Sequence, residues 1–304
     1  MRKDMKNLKN KTCFITGAAS GIGKAFSLAL AEEGMNLYIT DIDIQNLKLT
    51  KKEAEKFGTN IYEAKCDVAD INDWERSASD FYSKFNTLDL LINNAGIAIG
   101  GDLLALTLQE WQKVMNVNLW SVIYSLKTFL PKLIERRSGH IVNVASGAGI
   151  VPSAGPLPYI TSKFAVIGLS EALFGQLNSY GINVSVITPS YIKTNIYQKA
   201  KIKYPQKLIN EIGMERLDEI SASLLKKMGQ NAVSPERAVK KYIKGIKNDQ
   251  LYIYDSKAIL RVLSLKGNNP QQYETFLQNS FKQNEDMIKN HFLEFGIDID
   301  TYYY

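Results

Sequence analysis

Cysteine and histidine are scarce in this chain, with two of each: Cys13, Cys66, His140 and His291. Two isolated cysteines without a CxxC spacing exclude a disulfide framework and a zinc cluster. Both lie in apolar runs and read as buried small hydrophobes. The histidines are far apart and have no carboxylate at a useful spacing, so no metal site and no histidine-based triad is expected. No run of about 18 apolar residues occurs, which rules out a helical membrane span. Residues 1–11 are polar and basic and lack the apolar centre of a signal peptide. These absences lead to the expectation of a soluble, cytoplasmic protein. Repeats and low-complexity tracts are also missing, and 22% charged with 45% hydrophobic residues is ordinary globular composition.

What charge there is lies unevenly. The net value is +6, and residues 196–250 alone hold twelve Lys/Arg against six Asp/Glu. Such an excess attracts an acidic substrate or an anionic membrane surface, or it is a solvated, lysine-rich helical surface. The last reading is preferred. A nucleic-acid partner would need a clustered basic face with stacking aromatics, and none stands out.

Strand-length apolar runs alternate with helix-length segments. Strands are predicted at 12–16, 36–40, 60–64, 88–92, 140–145, 182–188 and 250–254. Helices are predicted at 21–33, 45–57, 74–85, 108–136, 159–177 and 234–247. Ser234-Pro235-Glu236 opens the last of these with a cap, a preset φ and a charge suited to the positive helix end. Regular β-α-β alternation implies an α/β fold of Rossmann type, a doubly wound parallel seven-stranded sheet with helices on both faces. Beyond residue 256 the chain reads as a helical extension packed on the same domain. Tyr273, Leu277, Phe281, Ile288 and Phe292 recur there at helical spacing, as core or as a contact between copies.

Directly after the first strand comes Thr16-Gly17-Ala18-Ala19-Ser20-Gly21-Ile22-Gly23, opening a helix. Gly17 permits the tight turn, Gly21 lets the backbone approach a pyrophosphate, and Gly23 allows close helix–strand packing. The helix N-terminus offers unpaired N–H groups and a positive dipole to the phosphates. Ser20 and Ile22 belong to the same cofactor-binding loop. Asp41 stands 18 residues after Gly23, at the end of the second strand. A carboxylate there accepts hydrogen bonds from ribose hydroxyls and repels the 2′-phosphate of NADP, and no Lys or Arg flanks it. NAD is therefore the expected cofactor. Asp41 could instead cap the next helix, but Asp43 competes for that role.

At this point the chain resembles the short-chain dehydrogenase/reductase family, over roughly residues 10–255. The glycine loop matches the family's TGxxxGxG. Asp67 and Val68 look like its adenine-contacting acidic-aliphatic pair. Asn94, Ala95 and Gly96 complete its NNAG motif after strand four, Asn118 matches the asparagine of the long central helix, and Ser146 follows strand five. Tyr159 and Lys163 form YxxxK thirteen residues after Ser146. After strand six the family usually carries Pro-Gly and then a threonine. Here Pro189 and Thr194 match, Ile192 would meet the nicotinamide carboxamide, and Ser190 replaces the glycine, which puts the turn geometry in doubt.

The resemblance implies an oxidoreductase that transfers a hydride between NAD and a secondary alcohol or ketone. The proton chemistry can be reasoned from the residues. Reduction of a ketone leaves an alkoxide that needs a proton, and a tyrosine hydroxyl can give it although its ordinary pKa is about 10. A lysine at i+4 faces the same side of a helix, and its charge favours the phenolate. Tyr159 is thus the expected acid/base and Lys163 its tuner. Ser146 would hydrogen-bond the substrate oxygen. By resemblance, Lys163 also holds the nicotinamide ribose and Asn118 binds a water that links it to a proton relay. An NADP-dependent carbonyl reductase and a non-catalytic NAD-binding regulator remain as alternatives.

Substrate choice falls to the segment of about residues 195–228, read as a mobile lid of one or two helices. Tyr191 and Ile196 are expected to bind substrate. With Ile97, Ala98, Leu157 and Tyr197 they suggest a largely apolar pocket. By family habit the protein is expected to be a homodimer or homotetramer packed through 108–136 and 159–177.

Overall fold

The computed structural model describes residues 5–152, 155–194, 196 and 200–302. Seven parallel strands form one sheet: β1 (Thr12–Thr16), β2 (Asn36–Asp41), β3 (Ile61–Lys65), β4 (Leu90–Asn93), β6 (Gly139–Val144), β7 (Ile182–Thr188) and β9 (Tyr252–Tyr254), in the order β3-β2-β1-β4-β6-β7-β9. The order reverses between β1 and β4, and a crevice opens there beyond the C-terminal strand ends. In register, Ile15 lies beside Ile39 and Ile92, and Asn93 beside Asn143. The glycine loop, Asp41, Asn94, Ser146 and Pro189 consequently leave the sheet along one edge.

The inner strands are buried along nearly their whole length because both faces are covered, and the burial includes the polar His140, Asn143 and Ser185. Cys13 and Ile15 point into a core shared with Phe26 and Leu30 of helix α1 (Gly21–Glu32) and with Ile243 and Ile246 of α9 (Pro235–Lys247). Phe14, between them, points into the opposite core with Trp74, Phe81 and Phe129. Alternation along a strand sends neighbours to opposite faces, so a two-sided sheet leaves no solvent-facing register in its inner strands. Cys13 and Cys66 are buried and free. Asp43 accepts from Asn46 N at 3.2 Å and caps α2 (Ile44–Ala54), which frees Asp41 from that task. The Ser234 hydroxyl caps α9 through Arg237 N.

Two features depart from the sequence reading. The helix expected over 108–136 is two helices, α4 (Leu108–Met115) and α5 (Ser121–Arg136), joined by a wider π-helical turn at Asn116–Trp120. A second, two-stranded parallel sheet pairs β5 (Ile99–Gly101) with β8 (Lys201–Lys203). This pairing roots the segment expected as a lid, whose helices are α7 (Gln206–Ile212) and α8 (Met214–Met228), and Lys203 pairs with Glu110 at 2.5 Å. The extension forms α10 (Ala258–Asn268) and α11 (Pro270–Leu293), and its end packs on the lid through Tyr204, Leu208, Leu217, Phe292 and Ile299. Tyr273 and Phe292 of the predicted stripe are buried, whereas Phe281 is 40% exposed. Part of the lysine excess is neutralised: Lys227 pairs with Glu294 at 2.6 Å and Lys247 with Glu33 at 2.7 Å. Among the described residues no helix is long and apolar enough to cross a membrane.

Candidate active site

A cleft of about 810 Å³ opens over the C-terminal edge of the sheet. One wall is the glycine loop. Gly17 sits at φ 66°, a conformation that only glycine adopts without strain, and a Cβ on Gly23 would lie 2.1 Å from Gly17 O. Gly23 therefore packs inward and does not line the cleft, while Gly17, Ser20, Gly21 and Ile22 do. The side chain of Ser20 makes no cap hydrogen bond and the first turn of α1 holds no acidic residue, so the helix start faces the cleft ready for an anion.

Two side chains brace this loop from neighbouring strands. Asn94 donates from Nδ2 to Thr16 O at 2.9 Å and to Gly17 O at 3.1 Å, and its N–H and that of Ala95 both donate to Thr16 Oγ1. Asp41 accepts from Ala19 N through Oδ2 and from Asp43 N through Oδ1, each at 2.9 Å. Both walls near Asp41 are acidic or apolar: Ile42, Asp43, Asp67 and Val68 line it with Cys66 beneath. Asp67 also shapes its own turn by accepting from Ala69 N at 3.0 Å.

At the other end Ser146, Tyr159 and Lys163 meet in a buried corner beside Gly96. Ser146 follows β6, and its Oγ accepts from Ala148 N at 3.1 Å. Tyr159 and Lys163 lie one turn apart on α6 (Leu157–Leu177). The Lys163 ammonium stands 5.5 Å from the Tyr159 ring centroid and donates to Val144 O at 3.0 Å. Burial pushes the Lys163 amine down to about 8. Burial also holds the Tyr159 hydroxyl above its ordinary value, with a hydrogen bond from the Ser146 side acting the other way. The expected downward pull of Lys163 on Tyr159 does not appear: burial raises the phenol and lowers the amine, disfavouring the charged form of both groups, and only the Ser146 hydrogen bond opposes it at Tyr159.

Asn118 lies on the π-helical turn and is buried outside the cleft lining. Its side chain accepts from Ile97 N at 2.8 Å and donates to Ile97 O at 3.0 Å and to Ser162 Oγ at 2.9 Å. It ties the turn after Gly96 to α6 between Tyr159 and Lys163. Both amide hydrogens are engaged, and the amide oxygen keeps one acceptor site beyond its bond from Ile97 N.

Pro189, Ser190, Ile192, Thr194 and Ile196 form the facing wall. Ser190 takes its place with φ outside the left-handed region, so the turn does not require the glycine that it replaces. Tyr191 is not among the lining residues, contrary to expectation. Ile192 is bridged to Val233 in a parallel, strand-like contact, and alternation along it turns Tyr191 away from the side that Ile192 faces. Leu157 also stays outside the cleft, while Ile97 and Ala98 line it. Tyr197 lies outside the described residues. The sequence reading missed one wall: Gln109, Gln112, Lys113 and Asn116, one face of α4 and the turn after it. Thr107 and Glu110 form a capping box that fixes the start of α4, and this S/T-x-x-E signal with the i, i+3, i+4, i+7 spacing could have pointed to that face.

Known proteins are similar to this chain in sequence and fold. The family described as short chain dehydrogenase matches residues 11–205. A CLA biosynthesis dehydrogenase/reductase of Lactiplantibacillus plantarum is 37% identical over 196 residues, 64% of this chain and 68% of that protein. A 3-oxoacyl-(acyl-carrier-protein) reductase of Thermotoga maritima is 34% identical over 209 residues, 69% of this chain and 85% of that protein. The solved structure of a short-chain dehydrogenase/reductase from Burkholderia phymatum in complex with NAD is 27% identical, with a TM-score of 0.77 over 88% of this chain and 96% of that one.

Proposed function

Because this chain belongs to the short-chain dehydrogenase family, we propose that it is an NAD-dependent oxidoreductase acting on a hydrophobic secondary alcohol or its ketone. When bound, the nicotinamide supplies or accepts the hydride. The observation that carries the reading is the buried corner where Ser146, Tyr159 and Lys163 line one cleft with the glycine loop.

The chain's own residues do the rest. Tyr159 Oη holds the proton that a nascent alkoxide takes up, and receives it in the reverse direction. Its raised pKa keeps it protonated and ready to donate. Ser146 Oγ donates a hydrogen bond to the substrate oxygen and stabilises the charge that develops there. Lys163 keeps a cation beside the phenol and faces the nicotinamide ribose. Asn118 holds Ile97 and Ser162, and so the floor of the corner. The uncapped start of α1 with Gly17, Ser20, Gly21 and Ile22 takes the diphosphate. Asp67 and Val68 with Asn94 and Ala95 would border the adenosine and its ribose, and Gly96, Pro189, Ile192 and Thr194 would border the nicotinamide half.

Three carboxylates at the ribose end, Asp41, Asp43 and Asp67, support NAD over NADP, since a 2′-phosphate would meet like charge. Ile97, Ala98 and Ile196 at the reacting end support an apolar substrate. The exposed Leu108, Trp120 and Phe174 on the outer faces of 108–136 and 157–177 support contact between copies of the chain.

The test is reduction of NAD or NADP, followed by absorbance, with secondary alcohols from short aliphatic to steroidal. Tyr159→Phe is expected to lower turnover by roughly 10²–10⁴-fold, the range for general acid–base catalysis, while NADH still binds. Turnover with NADP alone would make the protein an NADP-dependent reductase. Tight NADH binding with no turnover across the panel would favour a regulator, and binding of neither dinucleotide would overturn the reading of the cleft.

A further inference from the structure

The wall formed by residues 189–194 runs the length of the reacting half of the cleft. At one end Pro189 O accepts from Gly147 N at 2.8 Å, next to Ser146. At the other end a Cβ on Gly21 would lie 3.1 Å from Thr194 Cγ2, so this end stands against the phosphate loop. A segment joining those two points covers the reach from diphosphate to nicotinamide. It belongs to no ladder of the main sheet. Its middle is held by one bridge, in which Val233 N donates to Tyr191 O and Lys193 N to Val233 O, each at 2.9 Å.

Ser190 supplies a second fastening. Its N–H donates to Asp255 Oδ1 at 2.8 Å, and its Oγ donates to Asp255 Oδ2 at 2.6 Å. Both carboxylate oxygens grip one residue, and hydrogen bonds to an ionised group are about twice as strong as neutral ones. A glycine at 190 would keep the main-chain bond and lose the other. Asp255 sits between the last strand and α10, and Lys241 Nζ donates to its carbonyl at 3.0 Å. Farther on, Ile259 of α10 packs over the turn that follows Ser146: a Cβ on Gly147 would lie 3.0 Å from Ile259 Cδ1 and 3.2 Å from Pro189 O. The Ser146 turn, the Pro189 turn and the start of the C-terminal extension therefore meet in one knot.

We propose that Ser190 and Asp255 are positioning residues for the nicotinamide half of the cofactor, and that they make this half of the cleft depend on how the C-terminal extension is seated. The inference rests on the dinucleotide reading above. Its signature is selectivity along the cofactor. The clamp secures the wall at the nicotinamide end, whereas the glycine loop and Asp41 hold the other half independently.

The experiment compares two probes on the full chain: NADH, followed by its fluorescence, and ADP-ribose, which carries the adenosine and diphosphate without the nicotinamide, followed by calorimetry. Ser190→Ala is expected to weaken NADH roughly fivefold, about one hydrogen bond's worth, and to leave ADP-ribose unchanged. Asp255→Asn is expected to act in the same direction, and the double variant to be no weaker than the worse single one, because both disrupt one contact. Unchanged NADH affinity in Ser190→Ala, or equal loss of both probes, would overturn the proposal. If the unaltered chain bound neither probe, the dinucleotide reading would fall, and the proposal with it.

Discussion

The parallel sheet and the lid–extension unit are held together in different ways. In the sheet, the inner strands are paired along their backbones and covered on both faces, and Cys13, Phe14 and Ile15 have no exposed surface. The lid and the end of the extension share a small cluster around Tyr204, Leu217 and Phe292, rimmed by ion pairs such as Lys227–Glu294 whose partners are half exposed. Exposed ion pairs contribute little. Few buried contacts mean a low free energy of local opening. The proposed proton-handling groups are thus mounted on the stiff part, and among the described residues of the softer segment only Ile196 reaches the cleft.

Gly23→Ala tests the stiff part most severely. The added carbon meets Gly17 O at 2.1 Å and Asn94 Nδ2 at 2.5 Å, and a doubly covered sheet has little room to yield. NADH affinity is expected to fall by roughly a hundredfold or more, with a lower melting temperature. Near-normal binding in titration would mean that this wall is softer than described.

Phe292→Ala probes the other side of the comparison. It should remove roughly 3–5 kcal/mol from the lid–extension cluster. Hydrogen exchange should quicken in α7, α8 and the end of α11, while the strands keep their protection. Equal loss of protection in β1 and β4 would merge the two regions into one cooperative unit.

A smaller, pH-dependent effect belongs to the stiff part alone. Lys163 is pushed down to about 8 by burial. Below that pH its buried charge costs stability. Between about 8 and about 10.4 the unfolded chain binds a proton that the folded chain has released, so this contribution improves as pH rises. Buried tyrosines and cysteines work in the opposite sense at the alkaline end, so the difference between Lys163→Met and the parent isolates it. The variant is expected to gain stability below pH 8, by at most on the order of 3 kcal/mol, and to converge with the parent towards pH 10. Parallel melting curves across that range would mean that Lys163 is better solvated than its surroundings imply.

Much of the stiff part was legible from residue order. A strand buried on both faces reads as an unbroken apolar run, a glycine turn before a helix has few structural alternatives, and a tyrosine and lysine four apart must share a helix face. The rest depends on contacts that no local pattern announces. Ile99–Gly101 and Lys201–Lys203 are three residues each and become strands only by meeting one another. The π-helical turn at Asn116–Trp120 leaves the apolar period nearly intact, so a single helix was the natural reading. Tyr191 was expected in the pocket because sequence distance from Pro189 says nothing about which way a bridged residue faces. Ser190 stood out as a departure, yet its partner Asp255 lies 65 residues away.

Asp41 has a double duty that bears on how such a site can change. Its Oδ2 steadies Ala19 N–H in the glycine turn, and its Oδ1 steadies Asp43 N–H. If position 41 selects the nucleotide as proposed, exchanging it would slacken the glycine turn at the same stroke. A replacement therefore has to keep a short acceptor within reach of Ala19, as asparagine or serine would. A bare truncation would confound altered selectivity with a loosened cradle.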